Sequence, residues 1–160
     1  MEHEHVHSRG LHEDARRARR RRRGRRRVRG HRGRRRVREA VRYAAGRASL
    51  AICSGAARAE IEPVVEAAGL ASLFEAVVTS DDVVHGKPDP EGYARTLGIL
   101  GVDARDAVVF EDTEAGIASA RAAGVGRVLA MKTTLEPHRL SRADELIDRL
   151  DVDVMRRCLS

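Results

Sequence analysis

After residue 38, the order of apolar and polar residues predicts alternating strands and helices. Four short runs are largely apolar without alternation, as is typical of strands that are buried on both faces of a sheet. These runs are "SLAIC", "AVVTS", "AVVF" and "RVLAM". Between them, apolar residues recur at helical spacing, and glycines or prolines mark the points where helices start or stop. The alternation predicts an α/β fold with a doubly wound parallel sheet.

The helical pattern predicts five helices, whose ends are set by proline and glycine. Pro63 restricts the second helix to a start close to Glu60, because proline is tolerated only in a first turn. The predicted helices are residues 38–46, Glu60–Gly69, Asp89–Leu100, Thr113–Ala123 and Ala143–Leu150. The residues predicted to face inward are Ile61, Val64, Val65 and Ala68 in the second helix, and Tyr93, Leu97 and Leu100 in the third.

Polar residues follow three of the predicted strands. Ser54 and Gly55 follow "LAIC", Lys87 stands in "HGKPDP" after "AVVTS", and Glu111 and Asp112 follow "AVVF". Taken singly, each feature is explained by an ordinary turn, a solvated lysine or a helix cap. Together they place a hydroxyl, a cation and two carboxylates at the edge of a sheet where open α/β folds bind ligands. This combination predicts a site for phosphate and magnesium.

The adjacent carboxylates of Glu111 and Asp112 allow two interpretations. Either residue could cap the helix that begins at Thr113, where a negative charge is favourable. Two neighbouring carboxylates repel each other, however, and a hard divalent cation such as Mg²⁺ relieves that repulsion. We favour the metal site, with capping as a secondary effect.

Three segments of the sequence resemble motifs two, three and four of the haloacid dehalogenase-like (HAD) hydrolases, in particular the phosphatase and beta-phosphoglucomutase-like branch. The segments are "AICSGA", "GKPDPEGY" and "VVFEDTEAGIASARAAG", and the resemblance covers roughly residues 37–138. It implies a Rossmann-like core and a Mg²⁺-dependent phosphatase or phosphomutase. Its substrate would be a phosphorylated sugar or another small metabolite.

The resemblance also implies a role for each matching residue. Ser54 and the backbone N–H of Gly55 would bind the transferring phosphoryl group. Lys87 would hold the phosphate and neutralise charge as the phosphoryl intermediate forms. Asp112 would bind Mg²⁺ directly, and Glu111 would support the metal or its waters.

The sequence departs from the family in its first motif and its cap. Family members begin with a strand that ends in DxDGT, whose first aspartate is the nucleophile, and no such motif precedes Ser54; Asp14, in "LHEDARR", follows no apolar run. In the family, that strand lies between the two strands that here end at Ser54 and Glu111. We therefore expect residues 37–160 to form an incomplete core that lacks the central first strand and the cap, and that is inactive alone.

The charge is concentrated at the start of the chain. Residues 1–38 hold 17 arginines, no lysine and 4 acidic residues, a net charge of +13, whereas residues 39–160 carry −6. We predict that residues 1–36 are disordered. They could be a true arm that binds nucleic acid or another polyanion through residues 9–38. Alternatively, they are an out-of-frame reading of GC-rich DNA joined to an in-frame HAD fragment, which we favour.

Apolar stretches and cysteines add little to this interpretation. No apolar stretch reaches the roughly 18 residues of a membrane span, and no signal-peptide core is present, so we expect no membrane contact and a cytoplasmic location. Cys53 and Cys158 lack the spacing of a metal site or a disulfide framework.

Overall fold

The structure is a computed structural model that describes residues 33–132 and 136–160. Internal contacts divide the chain into two units, Met1–Arg35 and Arg36–Ser160, and the architecture below belongs to the second. Most of the predicted arginine-rich segment lies outside the described residues. Its last four residues, 33–36, are helical rather than disordered.

Strands and helices alternate along the described residues, which confirms the predicted α/β class. The helices are α1 (residues 33–45), α2 (Arg58–Ala67), α3 (Glu91–Leu100), α4 (Glu114–Ala122) and α5 (Val152–Cys158). The strands are β1 (Ala51–Cys53), β2 (Ala76–Val78), β3 (Val108–Glu111), β4 (Arg127–Met131) and β5 (Glu145–Ile147). None of the described helices has the length and apolar character needed to span a membrane.

The strands form two parallel sheets instead of one continuous sheet. β1 pairs with β2, placing Ile52 opposite Val77, and the second sheet has the order β3-β4-β5, with Phe110 opposite Leu129. Within the described part of the chain, no strand lies between β1 and β3. The interruption falls where the sequence predicts that the central strand is missing, so the fold is the incomplete doubly wound sheet that we expected.

Helices cover both faces of the interrupted sheet. On one face, Tyr93 of α3 and Ile117 of α4 belong to an apolar cluster that also contacts Cys53 of β1 and Val109 of β3. On the other face, α1 and α5 contribute a second cluster, and its members are Ala40, Ala44 and Met155, packed against Leu50 and Phe110. The first cluster contacts both sheets, and the second contacts Phe110 of β3 and Leu50, the residue before β1, so apolar packing holds the two sheets in one core.

The prediction of a last helix at Ala143–Leu150 is wrong. Residues Glu145–Ile147 form β5, which pairs with β4, and the helix comes later as α5. The Asp151 carboxylate caps α5 by accepting a hydrogen bond from the backbone N–H of Val154 at 3.1 Å. Pairing with β4 favours a strand at residues 145–147, and the Asp151 cap sets the start of the helix at Val152. The helical spacing of apolar residues shows neither interaction.

Helix α2 starts earlier than predicted and is less buried. It begins at Arg58, whose backbone N–H donates to the Asp81 carboxylate at 2.9 Å, so Pro63 lies inside the helix instead of in its first turn. Val64 is 68% exposed, which corrects its predicted inward position. No residue of α2 is fully buried, so the helix lies at the surface.

Gly126, the residue before β4, allows a close approach that an alanine would block. A Cβ at this position would lie 1.9 Å from the carbonyl oxygen of Arg105, whereas a Cβ at Gly98 in α3 would meet nothing within 4 Å. We expect Gly126→Ala to lower the free energy of unfolding by about 1–3 kcal/mol through overpacking. The control Gly98→Ala should raise it by about 0.5–1 kcal/mol, because alanine favours a helix. Urea denaturation measures both, and equal effects would contradict the predicted clash.

Candidate functional site

The predicted site residues lie at the carboxyl ends of β1 and β3 and in the loop after β2. Ser54 directly follows β1, Lys87 lies between β2 and α3, and Glu111 is the last residue of β3. All strand pairs are parallel, so these ends meet at one edge of the fold.

Lys87 joins the ends of the two sheets. Its Nζ donates to the carbonyl oxygen of Cys53 at 3.1 Å and to the hydroxyl of Tyr93 at 3.3 Å, and it forms an ion pair with Glu111 Oε1. The side chain is only 16% exposed. An ammonium group has three N–H donors, and these three partners use all of them. The Lys87 ammonium is therefore held in one position.

The Glu111 carboxylate is buried, and both of its oxygens are engaged. Oε1 accepts from Lys87 and from the Tyr93 hydroxyl, the latter at 2.6 Å. Oε2 accepts from the backbone N–H of Asp112 and from the hydroxyl of Thr113, each at 3.2 Å. A buried charge is tolerated when it is both paired and hydrogen-bonded, and Glu111 meets both conditions.

Gly116 makes room for this carboxylate against the first turn of α4. A Cβ at Gly116 would lie 2.1 Å from Glu111 Oε2, so a side chain there would displace the carboxylate. Thr113 caps the same helix, because its Oγ1 accepts from the Gly116 backbone N–H at 3.0 Å. The amino-terminal end of a helix favours negative charge. Glu111 thus lies at the start of α4, where its charge is stabilised.

The hydroxyl of Tyr93 links Lys87 to Glu111, and the sequence analysis missed this role. Tyr93 was predicted to face inward, and it is buried in the core as expected. Burial, followed by the nearby negative charge of Glu111, raises the pKa of the Tyr93 phenol well above its usual range. The phenol therefore stays protonated and donates to Glu111. The available signal was the position of Tyr93 in the first turn of the helix that follows "GKPDP".

The two neighbouring carboxylates differ in their surroundings. Asp112 is exposed, and its carboxylate forms no hydrogen bond or ion pair with any residue in 33–132 or 136–160. An open carboxylate oxygen suits Mg²⁺, whereas the Glu111 oxygens are already occupied by protein donors. In this structure Glu111 is the counter-ion of Lys87, its support of a metal or of the metal's waters stays a prediction, and the Asp112 carboxylate is open to a cation.

Ser54 and Gly55 form the turn after β1. The Ser54 backbone N–H donates to Val78 at 2.9 Å, and its hydroxyl oxygen accepts from the N–H of Ala56 at 3.1 Å, so the hydroxyl proton stays available. The N–H of Gly55 has no hydrogen-bond partner within the described ranges. The structure places Ser54 one residue from the Cys53 carbonyl that Lys87 binds, but neither Ser54 nor Asp112 forms a hydrogen bond or ion pair with Lys87.

Cys53 lies beneath the site as a half-buried thiol. A Cβ at Gly92 would lie 3.1 Å from its Sγ, so the glycine allows α3 to pack closely against β1. Burial raises the pKa of the Cys53 thiol, despite the opposing effect of the nearby Lys87 charge. The thiol is therefore protonated at neutral pH and acts as a small core residue.

The loop that carries Lys87 is fixed by Glu91. The Glu91 carboxylate accepts the backbone N–H groups of Val84 and His85, each at 2.8 Å, and these two bonds lower the pKa of Glu91. His85, Asp89 and Glu91 bring their potential ligand atoms within 4.8 Å of one another, a cluster that the sequence analysis missed. Since Asp89 also accepts from the Glu91 N–H at 2.9 Å, the carboxylates serve to shape the loop.

Comparison with known proteins agrees with the fold. A family model described as haloacid dehalogenase-like hydrolase matches residues 2–124, more than half of the chain. The chain therefore belongs to the haloacid dehalogenase-like hydrolase family.

Individual relatives include several phosphatases. The chain is 38% identical over 104 residues to validoxylamine A 7'-phosphate phosphatase of Streptomyces hygroscopicus subsp. limoneus, covering 65% of this chain and 48% of the relative. It is 40% identical over 83 residues to fructose-1-phosphate phosphatase YqaB of Escherichia coli, covering 52% and 44%. The chain thus spans about half the length of these relatives.

Among solved structures, the chain is similar to a protein of Thermotoga maritima that was crystallised as a candidate beta-phosphoglucomutase. The TM-score is 0.70 at 30% identity, over 76% of this chain and 58% of that one. A HAD-superfamily hydrolase of Geobacter sulfurreducens gives a TM-score of 0.65 at 28% identity, with the same coverage.

Because Lys87 and Glu111 form a buried ion pair, we expect the stability of the fold to depend on the presence of both charges. We expect Lys87→Met to lower the free energy of unfolding by about 3–5 kcal/mol, because it leaves the buried carboxylate unpaired. The double variant Lys87→Met/Glu111→Leu should be clearly more stable than this single variant. Chemical denaturation tests both. A double variant that loses the sum of the two single effects would show that the charges are not coupled.

Proposed function

We propose that this chain forms the phosphate- and magnesium-binding part of a phosphatase or phosphomutase that acts on phosphorylated sugars or similar small metabolites. The observation that carries this proposal is the position of Lys87, which is fixed at the carboxyl edge between β1 and β3 by Cys53 and Glu111. A fixed cation at this edge suits a phosphoryl group, because phosphoryl transfer depends mainly on positioned charges.

The other site residues have complementary roles in the proposal. The Ser54 hydroxyl and the Gly55 backbone N–H donate hydrogen bonds to phosphoryl oxygens. Lys87 exchanges one of its three acceptors for phosphate, and the longest bond, to Tyr93 at 3.3 Å, is the first to be replaced. Asp112 holds Mg²⁺, which when bound would neutralise charge on the phosphoryl oxygens.

The substrate class is inferred from the relatives. Two of them carry names that specify phosphorylated sugars or sugar-like compounds, fructose 1-phosphate and validoxylamine A 7'-phosphate. A third, from Thermotoga maritima, is named as a phosphatase of phosphorylated carbohydrates and is 34% identical over 100 residues. Because the chain spans about half the length of these proteins, the proposal names the substrate class and not an individual sugar.

A nucleophile is the missing part of this chemistry. Within the described residues, the groups near Lys87 are a carboxylate that is buried and paired, Glu111, and two groups that burial keeps protonated, the Cys53 thiol and the Tyr93 phenol. None of these groups suits attack on phosphorus. We therefore propose that the chain binds Mg²⁺ and phosphate but forms no phosphoryl intermediate by itself.

Calorimetry with MgCl₂ and inorganic phosphate tests the proposal. We expect Asp112→Asn to weaken Mg²⁺ binding about tenfold or more, and Lys87→Gln to weaken phosphate binding similarly, since each removes the charge that holds the ion. The matched controls are Asp148→Asn and Lys132→Gln, which change an exposed ion pair. The chain should release no phosphate from fructose 1-phosphate.

Two results would contradict the proposal in different ways. Phosphate binding that is equal in Lys87→Gln and in the original chain would show that the site is elsewhere. Phosphate release that is lost in Asp112→Asn would confirm the metal site but refute the absence of a nucleophile.

A second candidate function, polyanion binding, is favoured by the surface of α1. Arg38 and Arg42 are four residues apart and exposed, while Ala40 and Ala44 on the same helix are buried. Arg38 and Arg42 form no ion pair with any residue in the described ranges. An exposed arginine face of this kind suits a phosphate backbone.

This second candidate predicts binding to mixed-sequence double-stranded DNA that weakens steeply with salt. The double variant Arg38→Gln/Arg42→Gln should reduce the slope of log K against log salt by about 2, because each lost phosphate contact changes it by about 0.9. Fluorescence anisotropy measures the slope, and Arg95→Gln/Arg105→Gln, on and after α3, is the control for loss of charge elsewhere. Deletion of residues 1–36 with unchanged affinity would exclude that segment as the binding arm.

A further inference from the structure

The turn that carries Ser54 and Gly55 runs directly into α2, and that helix lacks a capping side chain of its own. Residues 54–57 connect β1 to α2, and Ala57 occupies the cap position at the start of the helix. Alanine has no side-chain oxygen, so it cannot accept any of the backbone N–H groups that a helix leaves free in its first turn. Partners for the start of α2 must come from another part of the fold.

The turn after β2, residues 79–82, supplies these partners. The Asp81 carboxylate accepts from the Arg58 backbone N–H at 2.9 Å, so a side chain from another turn satisfies one of the first N–H groups of α2. The Ser80 backbone N–H donates to the carbonyl oxygen of Ala56 at 3.1 Å. These two bonds attach the turn after β1 to the turn after β2.

The Arg58 side chain adds a charged contact between the same two turns. Its Nη2 donates to the Val77 carbonyl oxygen at 3.0 Å and to Asp82 Oδ2 at 2.6 Å. The same Asp82 oxygen accepts from the hydroxyl and the backbone N–H of Thr79, each at 2.8 Å. These Thr79 bonds, and then the Arg58 charge, lower the pKa of Asp82, so the carboxylate is ionised at neutral pH.

We propose that Arg58, Asp81 and Asp82, here called the turn clasp, are positioning residues for the phosphate-binding turn of Ser54 and Gly55. The turn clasp fixes where the hydroxyl and the backbone N–H of that turn lie, without itself contacting phosphate. Position matters because a displacement of about 1 Å is enough to lose most of the benefit of an oriented group. This inference rests on the proposed function, since it concerns the same phosphate site.

Direct contact of Arg58 with phosphate is the alternative, because arginine is well suited to phosphate. In the structure, however, Arg58 Nη1 donates to Glu62 at 3.2 Å, and Nη2 donates to Val77 and Asp82. Two carboxylates thus already neutralise the guanidinium. The two roles predict opposite effects of removing Asp81. If Arg58 acted by its charge, loss of a nearby negative charge would strengthen phosphate binding, whereas loss of part of the turn clasp weakens it.

Calorimetry with inorganic phosphate and the full chain tests the turn clasp. We expect Arg58→Met and Asp81→Ala each to weaken phosphate binding about tenfold, the effect of losing roughly one hydrogen bond to a charged group. One control is Arg127→Met, whose ion pair with Glu145 is about as exposed as that of Arg58. The other is Asp103→Ala, which also removes an acceptor of a backbone N–H at 2.9 Å. Both controls should bind phosphate like the original chain.

The amide resonance of Gly55 separates positioning from a general loss of stability. Phosphate should shift this resonance in the ¹H–¹⁵N spectrum of the original chain, and the shift at saturation should be smaller in Arg58→Met and Asp81→Ala. A variant that is only less stable would show the full shift in its folded fraction. Because the Asp81 side chain is exposed, Asp81→Ala provides the test if Arg58→Met does not fold.

The possible contrary results have different meanings. Unchanged phosphate binding or a full Gly55 shift in Asp81→Ala, while Lys87→Gln still weakens binding, would overturn the turn clasp and leave the proposed function intact. Tighter phosphate binding in Asp81→Ala would show that Arg58 acts by its charge, which would also overturn it. An original chain that binds no phosphate would refute the proposed function and this inference together.

Discussion

The buried ion pair between Lys87 and Glu111 is the constraint on which the site depends. It connects the carboxyl end of β3 to the loop after β2, and through Cys53 it also reaches the end of β1. Two opposite charges removed from water are stable only when other groups complete their hydrogen bonds, and Tyr93 and Thr113 do so for Glu111. The electrostatics of the site and the alignment of the two sheets therefore have one common origin.

The same pair explains which part of the site the sequence could predict. Alternation of apolar runs and helical spacing places Lys87 and Glu111 at the same edge of a sheet, and the structure confirms this. Adjacent carboxylates in a sequence look equivalent, however, and a pattern cannot show that Gly116 leaves room for one of them to be buried. Burial is decided by the packing of α4 against β3, so the different surroundings of Glu111 and Asp112 emerge only in three dimensions.

The elements that were predicted wrongly have a similar cause. Residues 143–150 space their apolar side chains as a helix would, but the edge of β4 offers backbone partners that a strand can use, and β5 forms there. Val64 fits an amphipathic helix, yet none of the described elements buries it, and the residue is exposed. In both cases the local pattern is ambiguous, and a neighbouring element, or its absence from the described fold, determines the result.

The strongest disagreement between sequence and structure concerns β1 and β3. Their continuous apolar runs predict burial on both faces, and both faces are indeed covered by helices, but the strands remain half-exposed along their open edges. An apolar sequence reflects the complete set of neighbours that a strand has in its stable state. The backbone groups of Ala51 and Phe110, which point away from β2 and β4, need partners for the same reason. The described core is thus a structure in which side-chain packing is nearly complete while the backbone pairing of one strand is still required.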